Sequence, residues 1–412
     1  MGKKLLVIGG GAAGFFCAVN AARMAPGLEV KIIEKTSKLL SKVRVSGGGR
    51  CNVTHACYEI TEMANRYPRG RNFIKKSFRR FFTRDTIAWF AERGVELKTE
   101  PDGRMFPVAN SSETIINCLM READRYGVEL LLNLQVNNLK RDEQGWTVNA
   151  VRGAEQLAMQ ADFVCIATGG YPKQEQYAWM ASLGHHFVPP SPSLFTFNAP
   201  GHPITKLMGV AVIEAEVKIP ELKHKEHGPL MITHWGLSGP AVIRLSAWLA
   251  KELESRQYKA GVVINWLPEF NENSFRDYII FYRDRHGSIR LRSRSPFGLP
   301  QRLWEFLLGE SNIGDEKWAE VSASSQNKLI RNVVAYQIRI SGKTTFKEEF
   351  VTAGGVSLLE VDPDTMQSRK QPSLYFAGEV LDVDGITGGY NFQHAWTSGF
   401  NAAQDIAGKS LI

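Results

Sequence analysis

The sequence predicts an α/β fold in which both chain ends build one sheet and the middle forms a separate β-rich module. Short apolar runs followed by glycines occur near both ends, at residues 4–14, 163–170 and 374–379. At 211–219 and 260–267 apolar and polar residues alternate instead, which is typical of strands with one buried face. The chain has 412 residues, more than one hydrophobic core usually serves, so several domains are expected.

The first unit of the pattern is a strand, a glycine turn, a helix and a second strand. Residues 3–8 read KKLLVI, a leucine and β-branched run typical of a buried parallel strand. The glycine turn GGGAAG follows, and the alanine-rich helical segment after it ends at Pro26-Gly27. Residues 29–33 read EVKII and form the next predicted strand.

Further along, residues 59–93 and 111–126 are predicted to be helical, and a Pro-Asp-Gly turn at 101–103 separates two short strands. Alternating runs at 130–140 and 146–153 predict a small antiparallel layer. The composition changes after the proline-rich stretch that ends at Pro192. The predicted domains are 1–190 and 351–412 for the α/β domain, 191–270 and 333–350 for the β-rich module, and 271–332 for a small helical insert.

Composition narrows the class of protein. Hydrophobic content of 43% and charged content of 22% are those of a soluble globular protein. The sequence contains no apolar run near the roughly 18 residues that span a bilayer, so no membrane partner is expected. The five cysteines are scattered without a CxxC pair, which favours reduced thiols in a cytoplasmic protein over disulfides or a metal site. A net charge of +8 permits an acidic partner such as RNA.

The first glycine cluster has the spacing and context of a dinucleotide-binding turn. Gly9, Gly11 and Gly14 form a GxGxxG pattern between a strand and a helix, and Glu34 stands at the end of the second strand. Gly9 permits a tight turn, Gly11 lets the backbone approach a pyrophosphate, and Gly14 lets the helix pack closely on the strand. The helix N-terminus offers N–H groups to the phosphates. We expect Glu34 to accept hydrogen bonds from an adenosine ribose.

Three other places favour a longer ligand, FAD, over NAD. The stretch SGGGRCN at 46–52 exposes backbone without side chains, and the strand at 163–166 ends in the small residues ATGG. Gly378-Glu379 and Gly388-Gly389 precede an apparent helix that begins near Asn391. Such a helix would direct its positive end toward the flavin edge where reduction deposits negative charge. Each glycine pair alone is more often a simple turn, but together they favour FAD.

Several motifs resemble those of the bacterial YhiN/BaiN/RdsA-type flavoproteins. The motifs are SGGGRCNVT, ATGG, THWGLSGPA, VTAGGVSL and FAGEVLDVDGITGGYNFQHAWTSG, and the resemblance spans essentially the whole chain. It implies a Rossmann-like FAD-binding domain of the two-dinucleotide-binding type, with an inserted β-barrel-like domain and a small helical domain. The activities it implies differ: dihydrouridine formation in large-subunit rRNA, reduction of unsaturated 3-oxo bile acids, or oxidation of a small amine.

The glycine motifs and the resemblance together predict which residues line FAD. The resemblance implies that Val136 meets the adenine through its backbone. The family often has a leucine where this chain has Arg44, so the chain departs from the family pattern on the flavin side. The full predicted set is Gly9, Gly11, Ala13, Gly14, Glu34, Lys35, Lys42, Ser46, Gly48, Gly49, Val136, Ala167, Thr168, Gly169, Gly378, Glu379, Gly388, Gly389, Tyr390 and Asn391.

The reductant and the proton donor are less clearly marked in the sequence. The sequence has no second GxGxxG after a strand, so NAD(P)H is expected to bind only transiently, or the substrate itself reduces the flavin. Cys51 and Cys57 lack the spacing expected of a redox-active disulfide beside a flavin. Arg50 could lower the pKa of Cys51 and make it a general acid, although a packed structural thiol is the alternative. His234, beside a glycine turn, could donate a proton, or it could satisfy loop backbone groups together with Ser238.

Two segments combine basic and aromatic residues. Residues 66–84 read RYPRGRNFIKKSFRRFFTR, and residues 283–302 read RDRHGSIRLRSRSPFGLPQR. Such segments can follow phosphates and stack on bases, which predicts rRNA as a possible partner. An amphipathic helix with a solvated basic face explains the first segment equally well.

These observations predict an FAD-dependent oxidoreductase that delivers hydride from flavin N5 to an activated C=C bond. NAD(P)H is the expected ultimate donor, and uridine in large-subunit rRNA is the leading substrate. A flavin-dependent oxidase of a small amine using O2 is the alternative enzyme, and an RNA-binding flavoprotein with structural FAD is a third possibility. The sequence does not predict the oligomeric state.

Overall fold

The computed structural model describes residues 2–345 and 351–412, and these form two compact units. Residues 2–193 and 351–412 form the first unit, and residues 194–345 form the second. The second unit is therefore inserted between two segments of the first. Among the described residues, we find no helix with the length and apolar character needed to cross a membrane.

The first segment of the first unit contains most of its secondary structure. Its strands are β1 Lys4–Ile8, β2 Glu29–Ile33, β3 Thr54–His55, β4 Leu97–Thr99, β5 Arg104–Pro107, β6 Glu129–Leu131, β7 Gln135–Asp142, β8 Gly145–Arg152, β9 Glu155–Ala161, β10 Phe163–Ile166 and β11 Phe187–Ser193. Its helices are α1 Ala12–Met24, α2 Ser41–Gly49, α3 Ile60–Ala64, α4 Arg71–Ser77, α5 Thr83–Ala91 and α6 Glu113–Arg125.

The second unit combines antiparallel strands with helices around one hydrophobic core. Its strands are β12 Thr196–Asn198, β13 Ala211–Lys218, β14 Lys225–Ile232, β15 Gly236–Ser238, β16 Lys259–Asn265, β17 Tyr336–Ser341 and β18 Lys343–Thr344. Its helices are α7 Pro240–Trp248, α8 Ala250–Ser255, α9 Glu272–His286, α10 Gln301–Glu310 and α11 Ala323–Val334. The strands form one antiparallel sheet in the order β17-β16-β13-β14-β15-β12-β18. Trp266 beside the sheet and Trp304 on α10 are buried in the same core.

The C-terminal segment, residues 351–412, completes the first unit. The last elements are β19 Val351–Val356, β20 Leu374–Phe376 and α12 Tyr390–Ser410. The main sheet has the order β20-β10-β1-β2-β6, and all of its neighbouring strands pair in parallel. The predicted α/β fold with both chain ends in one sheet is thus confirmed. Because the strands are parallel, their carboxyl ends lie at one edge, where open α/β sheets bind ligands.

Helices α1 and α12 pack against each other at unusually short range. A Cβ atom built on Gly399 of α12 would lie 2.6 Å from the carbonyl oxygen of Ala13 and 3.1 Å from the backbone nitrogen of Cys17. Beside this contact, the rings of Phe16 and Trp396 lie 5.2 Å apart and are fully buried. Glycine at position 399 therefore sets the distance between the two helices.

A glycine-to-alanine substitution at position 399 should destabilise the protein. The added methyl group would meet backbone atoms that cannot move aside, and such overpacking costs about 1–3 kcal/mol. We expect a lower urea midpoint of unfolding for Gly399→Ala. Gly408 of the same helix is the matched control, because a Cβ there meets no described atom within 4 Å. Gly408→Ala should instead stabilise by about 0.5–1 kcal/mol, and equal effects of both changes would contradict this account.

Candidate functional site

The turn between β1 and α1 is shaped by contacts that only glycine allows. Gly9 has a φ of +116°, and a Cβ there would lie 2.4 Å from the carbonyl oxygen of Ala167. A Cβ on Gly14 would lie 2.0 Å from the carbonyl oxygen of Gly9. A Cβ on Gly11, in contrast, would have no described atom within 4 Å. Gly9 and Gly14 thus serve the fold, whereas Gly11 leaves room for a ligand to approach the backbone.

The N-terminus of α1 is suited to bind an anion. The helix begins after Gly11 with no side-chain cap among the described residues and no acidic residue in its first turn. Its backbone N–H groups and partial positive charge are therefore suited to phosphate. Ala13 in this turn is approached by the end of β20, since a Cβ on Gly378 would lie 2.7 Å from the Ala13 methyl group. Both chain ends thus meet at this turn.

Glu34 lies at the end of β2 beside the glycine turn. Its carboxylate accepts hydrogen bonds from the N–H groups of Gly10 and Thr36, each at 2.9 Å. The backbone N–H of Leu134 donates to the Glu34 carbonyl at 3.0 Å, so the start of β7 lies next to it. Val136 is the second residue of β7, and the register of the β7–β8 pairing shifts just after it. Glu34 and Val136 are therefore positioned at the same end of the candidate site.

Tyr171 is a residue of this region that the sequence patterns missed. The Lys35 ammonium lies 5.5 Å from the centroid of the Tyr171 ring. The backbone N–H of Tyr171 donates to the Tyr177 hydroxyl at 3.1 Å. Burial raises the pKa of Tyr171, a hydrogen bond with Thr168 opposes this, and the Glu34 charge raises it further. Tyr171 thus stands near the ends of both β2 and β10. Its place directly after ATGG was the signal that could have found it.

The second glycine cluster interrupts α2. Ser46 is extended, and Gly47 and Gly48 have φ values of 59° and 68°. A Cβ on Gly47 would meet the Phe106 ring at 2.8 Å, whereas Gly48 and Gly49 have no described atom within 4 Å of such a Cβ. The backbone at 48–49 is therefore open to a ligand, as at Gly11. The Ser46 hydroxyl donates instead to the Val43 carbonyl at 3.0 Å.

Glu379 joins three segments of the site. Lys42 of α2 donates to its carboxylate at 2.5 Å, and the Thr352 N–H donates to it at 2.9 Å. A Cβ on Gly170 would lie 2.4 Å from the Thr352 hydroxyl and 3.0 Å from the Glu379 carboxylate, so the ATGG segment packs against both residues. Gly169 in that segment has a φ of 73°. Lys42 and Glu379 therefore hold the loops together in addition to any ligand contact.

The start of α12 is fixed by neighbouring backbone and rings. A Cβ on Gly389 would lie 2.5 Å from the Thr54 carbonyl oxygen, and the φ of Gly389 is +93°. The ring of Tyr390 stacks on His55 at 4.8 Å, and His55 contacts the Gly388 carbonyl at 3.0 Å. Asn391 exchanges two hydrogen bonds with the backbone of Gly385, at 2.8 and 2.9 Å. Tyr390 and Asn391 thus shape the loop that α12 follows.

Two further polar groups stabilise the helix start. Asn52, whose amide is oriented to suit both neighbours, accepts from the Gly389 N–H at 2.9 Å and donates to the Thr54 carbonyl at 3.0 Å. His394 is buried, its Nε2 contacts the Gly378 carbonyl at 3.2 Å, and burial lowers its pKa to about 4. His394 is therefore neutral near pH 7. Gly378, just after β20, and Asn52, just after the second glycine cluster, therefore both lie close to the start of α12.

Of the two interpretations of Cys51, its environment agrees with the packed structural thiol. Its side chain is fully buried, and burial raises the pKa of the thiol to about 12. The Arg50 guanidinium donates to Glu100 at 2.6 Å and lies 4.0 Å from the centroid of the Phe106 ring. The prediction that Arg50 lowers the pKa of Cys51 is wrong. Cys51 is a packed thiol, like the other four free and buried cysteines.

His234 lies in the second unit, between β14 and β15. The turn around it is closed by Thr233, whose backbone N–H donates to Gly236 at 2.8 Å and whose hydroxyl accepts from Gly236 at 3.1 Å. The His234 side chain is exposed and meets the Trp235 ring edge-on at 4.5 Å. The turn is thus satisfied by Thr233, and the imidazole of His234 is left to face solvent.

The first basic segment differs from its prediction. Its aromatic residues Tyr67, Phe73, Phe78, Phe81 and Phe82 are buried. They belong to the core, so the expectation that they stack on bases is wrong. The arginines at 66, 79, 80 and 84 remain exposed.

These residues fit an extended dinucleotide cofactor such as FAD. The positions Gly11, Gly48 and Gly49 can accept close backbone approach, and two helix N-termini lie among the same loops. Within the described ranges, there is no group of three or more His, Cys, Asp or Glu side chains arranged to hold a metal ion.

Comparisons with known proteins agree with this architecture. The relative "Ribosomal RNA dihydrouridine synthase" of Escherichia coli (strain K12) is 31% identical over 98% of both chains. The "3-dehydro-bile acid delta(4,6)-reductase" of Clostridium scindens is 30% identical over 98% of this chain and 99% of its own. The solved structure of 3-ketosteroid-delta4-(5alpha)-dehydrogenase from Rhodococcus jostii RHA1 shares the fold, with a TM-score of 0.53 at 13% identity over 97% of both chains.

A sequence profile described as "HI0933-like protein Rossmann domain" matches residues 3–405, nearly the whole chain. The chain therefore belongs to the HI0933-like Rossmann-domain family.

Proposed function

We propose that this FAD-dependent oxidoreductase reduces a C=C bond conjugated to a carbonyl group, with uridine in large-subunit rRNA as the leading substrate. One observation carries the proposal: two full-length relatives are named for chemistry on such bonds. Dihydrouridine is uridine with its C5=C6 bond saturated, and that bond is conjugated to the C4 carbonyl. The 3-dehydro-bile acid likewise places its double bonds in conjugation with a ketone. In the overall reaction the substrate gains a hydride and a proton, and NAD(P)H is oxidised.

Residues of the first unit would hold the cofactor. When bound, FAD supplies a hydride from the N5 atom of its reduced ring system. The Gly9–Gly14 turn and the start of α1 would bind the pyrophosphate, and Glu34 with Val136 would receive the adenosine portion. The open backbone at 48–49 would lie against the flavin portion.

The start of α12 supplies electrostatic stabilisation. This 21-residue helix has no acidic residue in its first turn, and its N-terminus favours negative charge in front of it. The Asn391 side chain and the Tyr390–His55 stack hold the preceding loop in one conformation. A fixed dipole of this kind costs no reorganisation when charge develops.

His234 is the proposed proton donor. Its imidazole is exposed and is not required by the turn that carries it, which Thr233 closes. A histidine in such a position can deliver the proton that completes reduction of the double bond. Cys51, which is buried with a raised pKa, is not suited to this role.

The substitution Gly11→Val should remove FAD without unfolding the protein. A Cβ atom at position 11 meets no described atom within 4 Å, and the side chain would occupy the space where a pyrophosphate would approach the backbone. We expect FAD affinity to fall at least about tenfold, which corresponds to about 1.4 kcal/mol. Bound flavin absorbance and apoprotein titration measure this, while circular dichroism checks the fold. Gly27→Ala, at the other end of α1, is the control and should retain FAD.

Replacing His234 by glutamine should slow substrate reduction but not flavin reduction. Loss of a general acid typically costs about 100-fold in rate or more. Rapid mixing that follows the two half-reactions separately measures this effect. An unchanged substrate half-reaction would exclude His234 as the proton donor.

The rRNA proposal is tested in a strain that lacks the gene. We expect mass spectrometry of large-subunit rRNA to show loss of a dihydrouridine, which the wild-type gene restores and the Gly11→Val variant does not. Unchanged dihydrouridine would overturn uridine as the substrate.

Anaerobic mixing separates the remaining alternatives. A reductase loses its flavin absorbance with NADPH or NADH, whereas an amine oxidase loses it only with an amine. A flavin that none of these reagents bleaches would indicate structural FAD.

A further inference from the structure

Helix α9 of the second unit exposes large apolar side chains to solvent. Phe281 is 52% exposed and Ile280 is 54% exposed, whereas Phe275 and Ile279 of the same helix are buried in the core. The helix therefore already has a buried face that anchors it. Apolar side chains grouped on its outer face are not needed for packing, and such groups mark interaction surfaces.

Arg285 stacks on Phe281 on this outer face. Its guanidinium carbon lies over the Phe281 ring, 4.1 Å from the ring centroid and one helical turn away. Unpaired RNA bases stack on both aromatic rings and guanidinium planes. The Phe281 ring therefore supports a guanidinium plane on which a base can stack in turn.

The surrounding charge favours a polyanion. Residues 276–302 contain seven arginines and two aspartates, Asp277 and Asp284, both on α9. Arg276 pairs with Glu272, and Arg290 pairs with Asp315. Other arginines of this stretch, namely Arg285, Arg292 and Arg294, are exposed and have no acidic partner in the part of the chain that the structure describes.

The arginine-bearing loop is packed against α9. Phe297 at its end lies 5.8 Å from the ring of Tyr278, and the Trp304 indole N–H donates to the Leu291 carbonyl at 2.7 Å. Leu291 is therefore held by α10 and Phe297 by α9, so the segment between them that carries Arg292 and Arg294 is fixed at both ends. The aromatic residues within the first basic segment are buried, and its Arg84 lies over the partly exposed ring of Tyr58 outside the segment, 4.5 Å from the ring centroid.

We propose that Phe281 and Arg285 form a stacking platform for an unpaired base of RNA, and that Arg292 and Arg294 bind the adjacent phosphates. This inference rests on the proposed function, since it assigns the surface that captures an RNA substrate. The platform recognises single-stranded segments, because a base inside a duplex cannot offer its face. A protein partner would use the same apolar residues without requiring the arginines.

The test measures binding of a fluorescein-labelled, unstructured, uridine-rich RNA to the full-length, FAD-loaded protein by fluorescence anisotropy across a range of KCl concentrations. Phe281→Ala should weaken binding about tenfold at every salt concentration, because stacking is not screened by salt. The double variant Arg292→Ala with Arg294→Ala should reduce the slope of log affinity against log salt by about 1.4, the value for two phosphate contacts on a single strand.

Control variants remove an exposed apolar side chain and two exposed positive charges elsewhere. Leu359→Ala removes a side chain that is 88% exposed, and Lys140→Ala with Arg141→Ala removes two exposed charges from β7 of the first unit. Both should bind RNA as the unaltered protein does. Equal affinity of Phe281→Ala and the unaltered protein would overturn the platform, as would equal salt slopes of the two double variants.

These outcomes are separable from failure of the proposed function. An unaltered protein that binds no RNA, yet is reduced by NADPH and reduces an unsaturated ketone, overturns both the platform and the rRNA substrate. An unaltered protein that binds RNA with unchanged affinity after Phe281→Ala overturns the platform alone.

Discussion

The close approach of α12 to α1 is the contact on which the candidate site depends. Gly399 allows the two helices to touch backbone to backbone, and this brings the end of β20 over the first turn of α1. The first turn of α1 thus meets α12 nine residues after Tyr390, so the two helix N-termini lie at different points along the candidate site. Neither has an acidic residue in its first turn, so each favours negative charge at its own point. A side chain at 399 would push the two helices apart and change that arrangement.

A second constraint holds the loop before α12. Asp384 in this loop is buried and pairs with Arg69, and the Ser193 hydroxyl donates to it at 2.8 Å. Burial raises the pKa of Asp384, while Arg69 opposes that rise. The N–H of Ile386 also donates to the Arg66 carbonyl at 2.9 Å. Arg69 and the backbone of Arg66 thus support the loop before α12, which explains the basic residue at position 69 without any nucleic acid.

The sequence predicted the parts of the site that depend on local chemistry. Gly9 and Gly14 were predictable because a tight turn and a close helix leave no room for a Cβ, and the structure gives both contacts. The direction of a longer side chain depends on residues far away in the chain. Arg50 turns toward Glu100 and a distant ring instead of toward Cys51, and no pattern around position 50 encodes that choice.

The same distinction applies to substrate choice. Two relatives at nearly equal identity carry names for an RNA nucleoside and for a bile acid, so a shared cofactor site does not specify the substrate. Gly9 and Gly14, which shape the dinucleotide turn, are constrained by backbone contacts and leave little freedom to adapt. Exposed side chains on α9, which no packing contact requires, are free to differ between members of the family. Specificity is therefore expected in the second unit, at residues such as Phe281 that are costly to expose unless they bind something.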